Sequence, residues 1–246
     1  MRTKRSQQNL GAARDLETEP VRSGRLYVVA VPIGHLDDIT VRAIRVLKTV
    51  DIIASEDPQA TQRLLRHHQI RGRVTSYGPW NLKEKVEVLR QRLRQGADVA
   101  LVSDCGSPLI ADPGHLLVAA AHADRIPVVP VPGPSAIIAA LSTGGLPCDS
   151  FFFLGHLPPH SARILRCMTD AVNRNVPTMV FGTVKSVGCA VAVLIGIAPR
   201  RRIVLACDLT RSNERILCGT PRRVSQGLPN LSGQDMTLIV AGTHLR

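Results

Sequence analysis

The chain is poor in rings: Phe, Tyr and Trp together make up 3% of its 246 residues. Its core must therefore be built from Val, Ile, Leu and Ala, and an aromatic platform that stacks single-stranded bases is not expected. Acidic residues are also scarce, 19 against 31 Lys and Arg, which leaves a formal charge of +12. A field of that sign draws polyanions, and nucleic acid is the commonest such partner. No apolar run reaches the roughly 20 residues that span a bilayer; the most continuous is Cys189 to Ala198. The N-terminus lacks the apolar middle section of a signal peptide. The six cysteines, Cys105, Cys148, Cys167, Cys189, Cys207 and Cys218, include no CxxC pair. They read as buried, reduced thiols of a cytoplasmic protein, with no metal or redox motif. The eight histidines show no zinc-ligand spacing, and His67-His68, adjacent on a predicted helix, should diverge rather than share a metal. A GxGxxG after the first predicted strand and a GxxxxGK[ST] are both missing, which argues against the usual dinucleotide fold and against a P-loop hydrolase.

What is present is an alternation of apolar runs and helical patterns. Residues 1–24 are polar, mixed in charge and aperiodic, and are expected to form a disordered tail. From there, Leu26–Val31, Asp51–Ser55, Val74–Tyr77, Val99–Ser103 and Pro127–Val131 read as short buried strands. Thr40 can cap a helix bearing Val41, Ile44 and Leu47. Leu82, Val86, Leu89 and Leu93 fall on one helical face. Apolar strands separated by helices imply a parallel sheet covered on both sides. Beyond Gly144-Gly145-Leu146-Pro147, strands are expected at Phe151–Leu154, Thr178–Phe181, Ile203–Cys207, Arg215–Cys218 and Met236–Ala241. The last three have short links without room for crossover helices, so they should pair antiparallel. The expectation is an α/β protein of two α/β domains, 25–143 with a mostly parallel sheet and 144–246 with a mixed, partly antiparallel one. A ligand would lie between them, at the carboxyl ends of the first domain's strands.

The informative loops all follow predicted strands. They are Pro32-Ile33-Gly34, Glu56-Asp57-Pro58, Asp104 to Gly114, and Pro132-Gly133-Pro134-Ser135-Ala136. Four loops rich in Gly, Pro and carboxylates at one sheet edge describe a site, because Gly admits close backbone approach and Pro stiffens the loop. Basic residues cluster at Arg63, Arg66, Arg71 and Arg73, at Arg200–Arg202 and at Arg222–Arg223; Arg90, Arg92 and Arg94 read as a solvated helix face.

The order and spacing of these motifs resemble the ribosomal RNA small subunit methyltransferase I family, within the tetrapyrrole (corrin/porphyrin) methylases. The resemblance rests on the run from Leu26 to Thr40, on Ser55-Glu56-Asp57, on Ser103 to Gly114, on Val131 to Ala136, on Gly145-Leu146-Pro147 and on Phe151 to Pro158. It implies a two-domain fold of tetrapyrrole-methylase type, usually a homodimer, that uses S-adenosyl-L-methionine in the interdomain cleft. It also implies 2′-O-methylation of a cytidine ribose in ribosomal RNA of the small ribosomal subunit. By position it assigns cofactor contacts to Gly106, Ser107, Ile110, Ser135 and Ala136, with Pro32, Asp104, Met179, Val180 and Thr237 as further ones. A ribose hydroxyl is a poor nucleophile, so a general base is expected. Asp104, Glu56 and Asp57 are the candidate catalytic residues, each alternatively a brace or cap for its own loop. Departures from the family pattern fall at Gly78-Pro79-Trp80, Phe181-Gly182-Thr183, Cys207-Asp208-Leu209-Thr210 and Gly233-Gln234. They leave open a methyltransferase acting on a tetrapyrrole or other small molecule, and a non-catalytic RNA-binding relative.

Overall fold

The computed structural model describes residues 23–228 and 235–243. The expected tail, apart from its last two residues, and Gly233-Gln234 lie outside the described residues. Five strands form the first sheet: β1 (Leu26–Val29), β2 (Ile52–Ser55), β3 (Val74–Ser76), β4 (Val99–Val102) and β5 (Val128–Val131). Their order is β3-β2-β4-β1-β5, and every pairing is parallel. Alternate side chains serve two cores. Val29, Ile53, Ala100 and Val102 pack against α1 (Val41–Thr49) and α2 (Pro58–His67). Leu26, Ala54, Val99 and Leu101 pack against α3 (Leu82–Arg94) and α4 (His115–Ala123). Thr40 caps α1 through the Ala43 N–H at 3.1 Å, and Leu89 and Leu93 are buried as the helical spacing predicts.

The second sheet holds β6 (Phe152–His156), β7 (Thr178–Gly182), β8 (Ile203–Cys207), β9 (Arg215–Gly219) and β10 (Met236–Val240), in the order β6-β7-β10-β8-β9. Only β6 and β7 are parallel; β10 runs antiparallel to β7 and β8, and β8 to β9. One face is covered by α6 (Ser161–Asn173), α7 (Val184–Ile197) and α8 (Pro221–Gly227). The other face is covered by α5 (Ala136–Gly144), whose Ile137, Ala140 and Leu141 pack on Met179, Val204 and Ile239. Ile33, from the loop after β1, joins the same core, so the halves share apolar packing.

Three expectations need correction. The last three strands do pair antiparallel, β9 and β10 on opposite sides of β8, but the link between β9 and β10 is not free of helix: it contains α8. The start signal was there, since Thr220 caps α8 and Pro221 opens it. Arg90 and Arg94 are not a free solvated face, because both clamp Asp124 at the end of α4, with contacts of 2.6–2.7 Å. Finally, all six cysteines are free, but only Cys207 is buried; Cys105, Cys148 and Cys189 are exposed. Among the described residues no helix is long and apolar enough to cross a membrane.

Candidate functional site

Parallel strands with helical crossovers bring their following loops to one edge. Here the loops after β1, β2, β4 and β5 meet residues of the second sheet around a cavity of about 350 Å³, a volume within the range of small-molecule sites. From the first half come Ile33, Glu56, Asp104 to Ser107, Ile110 to Asp112, and Ser135 to Ile137. From the second come His156, Phe181, Gly182, Leu209, Arg211 and Asp235 to Thr237.

The β4 loop is held in an unusual shape. Gly106 exchanges backbone hydrogen bonds with Val31, Val31 N–H to Gly106 O at 2.9 Å and Gly106 N–H to Val31 O at 3.1 Å. The Ser103 hydroxyl donates to Gly106 O at 2.9 Å, and the Ser107 hydroxyl to Pro134 O at 3.2 Å. Gly106 has φ +76°, and Leu109 and Ala111 stand at +72° and +57°. Non-glycine residues in that region store backbone strain, which persists only where surrounding structure enforces it. Because Gly106 uses its own N–H and C=O to tie the loop to β1, backbone groups offered to a ligand must come from its neighbours.

Carboxylates gather at one side. Asp112 is hydrogen-bonded to Glu56, and burial, then that bond and the Glu56 charge, push its carboxyl up to about 8. Asp104 is also raised, chiefly by burial and further by Glu56 and Asp57, although it accepts the Asp57 N–H at 2.7 Å, which opposes the shift. Two or three carboxyl groups sharing a partly buried wall cannot all ionise freely, so a proton is retained among them near neutral pH. The same wall suits a cation. The lining also holds the apolar side chains of Ile33, Ile137, Phe181, Leu209 and Met236, and Phe153 packs edge-on to Phe181 with ring centroids 4.8 Å apart. Arg211 pairs with Asp235 at 2.9 Å on the lining of the second half.

Of the expected residues, Asp104, Glu56, Gly106, Ser107, Ile110, Ser135, Ala136 and Thr237 line the cavity together. Ser135 stands at the N-cap of α5 but makes no side-chain capping bond, which leaves its hydroxyl to the cavity. Asp57, Pro32, Met179 and Val180 do not line it. The Asp57 carboxylate caps α2, accepting from Gln59 and Ala60 N–H at 2.8 and 3.1 Å. Pro32 is buried in the β1 loop. Met179 and Val180 point to opposite faces of β7 and are both fully buried.

Sequence reasoning did not single out Asp112, Cys105, His156, Phe181, Arg211 or Asp235. Asp112 carried a signal within Ala111-Asp112-Pro113-Gly114, but that run also reads as ordinary turn chemistry. Cys105 lies in the same β4 loop, where it read only as a thiol, and the others come from segments brought in by the second sheet, which no local pattern places. The histidine expectation also changes. Helix α2 ends at His67, and His68 is its cap at φ −93°, ψ 12°, so the two rings do not diverge but meet edge-on with centroids 4.7 Å apart.

Residues 25–224 match the family profile described as tetrapyrrole (corrin/porphyrin) methylases. The chain is 36% identical over 226 residues to a ribosomal RNA small subunit methyltransferase I of Neisseria meningitidis serogroup B, covering 91% of this chain and 78% of that one. It is 43% identical over 199 residues to the protein of that name from Pseudomonas aeruginosa, covering 79% and 69%. A solved uroporphyrin-III C-methyl transferase from Thermus thermophilus, complexed with S-adenyl homocysteine, superposes with a TM-score of 0.60 at 19% identity, covering 88% of this chain and 97% of that one.

Proposed function

The chain belongs to the ribosomal RNA small subunit methyltransferase I family of tetrapyrrole methylases, and on that premise we propose that it 2′-O-methylates a cytidine ribose in small-subunit ribosomal RNA, using S-adenosyl-L-methionine held in the interdomain cavity. The observation that carries the reading is the union, in one cavity, of a strained backbone loop, an apolar wall and a carboxylate cluster.

The residues present fit the cofactor. Gly106 holds the loop shape: a Cβ there would stand 3.3 Å from Ile33 Cγ2, at a φ that side chains resist. Neighbouring backbone groups, with Ser107, Ile110, Ser135, Ala136 and Thr237, would hold the polar parts, and Phe181, Leu209 and Ile33 the flat adenine. Pro32, Met179 and Val180 act from behind the lining as supports. When bound, the cofactor supplies an already activated sulfonium methyl. What remains for the protein is to position the ribose hydroxyl in line with that methyl and to accept its proton.

The proton acceptor we assign to the Glu56–Asp112 pair, with Asp104 beside it. The pair would accept the hydroxyl proton as the methyl leaves the sulfur for the ribose oxygen, and would then release it to solvent. Asp57 positions Glu56 by capping the helix that follows it. The charge of +12 favours the anionic RNA backbone. The homodimer and the cytoplasmic location complete the reading on the family resemblance.

The deciding measurement is a map of ribose methylation across small-subunit ribosomal RNA from cells with and without the gene. One cytidine is expected to lose its 2′-O-methyl group, and the purified protein should restore it on isolated subunits. An unchanged map, together with turnover of a tetrapyrrole substrate, would overturn the RNA assignment.

A further inference from the structure

At the opposite end of α2 from the cavity, three side chains with metal-binding atoms converge. Asp37 lies in the single 3₁₀ turn Leu36–Asp38 after the β1 loop. His67 closes α2, and His68 is its cap. One ligand atom from each residue lies within 4.8 Å of the others. His67 Nε2 is 2.7 Å from Asp37 Oδ1, and His68 Nε2 is 2.9 Å from Leu36 O. Asp37 and His67 are exposed and His68 is half-buried, so an ion could enter from solvent.

We propose that Asp37, His67 and His68 form a binding site for a divalent transition-metal ion of the zinc class. Two imidazoles and one carboxylate are the donor set that such ions prefer, whereas magnesium and calcium favour oxygen alone. Around one tetrahedral zinc, ligand atoms at 2.0–2.2 Å from the metal lie roughly 3.3–3.5 Å apart. To reach that spacing the 2.7 Å contact of His67 with Asp37 would open, and separations of up to 4.8 Å in the cluster would narrow. An Nε2–H of His68 donating to Leu36 O would leave Nδ1 as the lone-pair atom, and such a contact is the second partner that metal-bound imidazoles commonly have. Between His67 and Asp37 the ion takes the place of the hydrogen they now share. The fourth position would hold water, since His35 Nδ1 accepts the Asp37 N–H at 3.3 Å and caps the turn.

The site joins segments distant in sequence: the turn that follows the cavity loop Pro32–Gly34, and the end of the helix that Asp57 caps. Binding the folded form alone would stabilise it by mass action.

The test is calorimetric titration of the full chain with Zn²⁺, beside thermal melting with and without the ion. One equivalent per chain with a Kd in the micromolar range or tighter is expected, together with a higher Tm. Asp37→Asn, His67→Asn and His68→Asn should each weaken that equivalent at least about tenfold and remove the Tm rise, with the metal-free melt and circular dichroism unchanged. The exposed thiols Cys105, Cys148 and Cys189 are the competing zinc ligands, and they are identical in wild type and variants. Affinity unchanged in the three variants would overturn the proposal, as would Mg²⁺ binding as tightly as Zn²⁺. Co²⁺ gives a check independent of the variants' folding: bound to wild type it should lack the intense thiolate charge-transfer band. A strong band from the first equivalent would place the metal on cysteine and overturn the assignment.

Discussion

Asp112 shows at the residue scale how one side chain is set against the fold. Its carboxyl, raised to about 8 by burial and by Glu56, is mostly protonated at pH 7. A group with a folded pKa above its unfolded value of about 3.9 binds more protons in the native state, so stability falls as pH climbs between those values. Asp112→Asn removes the titration. It is expected to raise Tm relative to wild type by an amount that grows from pH 5 to pH 9, while methyl transfer falls by about 10²–10⁴-fold. Wild-type turnover should increase as pH passes through about 8, and that limb should vanish in the variant. A parallel pair of Tm–pH curves would refute the assignment of the shift. Glu56 and Asp104 were legible from their place after predicted strands. Asp112 was not, because its role depends on meeting Glu56 from a loop more than fifty residues away.

At the scale of elements, sequence periodicity located strands and helices well where each is locally determined. β8 lies where expected and Thr40 marks the start of α1 by its own chemistry, whereas the Thr220-Pro221 start of α8 went unread because the link looked too short for a helix. The antiparallel pairing of the last three strands was legible as well, but not their order or that β10 also takes β7 as a neighbour. The α3–α4 contact is another product of pairing. Arg90 and Arg94, one turn apart, place both guanidiniums on Asp124, whose side chain is 8% exposed, and hold its carboxyl well below the usual carboxylate range. A depressed folded pKa contributes stability that is present above the unfolded pKa and lost as pH falls through the folded one. Asp124→Asn should therefore lower Tm at neutral pH, with the gap to wild type narrowing below about pH 4. A gap that stays constant down to pH 2 would mean that the clamp acts through packing and not charge.

For the whole molecule, the excess of 31 basic over 19 acidic residues sets a long-range field, while the cavity wall carries the opposite sign. The two parts of the proposed reaction should respond differently to salt. Affinity for the ribosomal RNA substrate should fall linearly on a log–log plot against salt, with a slope of about −0.7 to −0.9 per phosphate neutralised. Cofactor affinity should change little over the same range, since it depends on contacts at short distance. Filter binding for the RNA and calorimetry for the cofactor measure the two terms. Equal slopes would show that the basic surface does not separate the sites.

The sequence by itself determined the two-part α/β architecture, the strand-following loops and most of the cavity's first wall, because periodicity, caps and Gly/Pro punctuation are local chemistry that reads without contacts. It determined the family through several motifs in register. The tertiary structure alone decided that Asp57 faces its helix and not the cavity, that Met179 and Val180 stand in cores, and that Asp112 meets Glu56. It also decided that His67 and His68 converge on Asp37. Those outcomes depend on which long-range partners the sheets bring together, and burial, charge proximity and hydrogen-bond geometry are set there, beyond the reach of any local pattern.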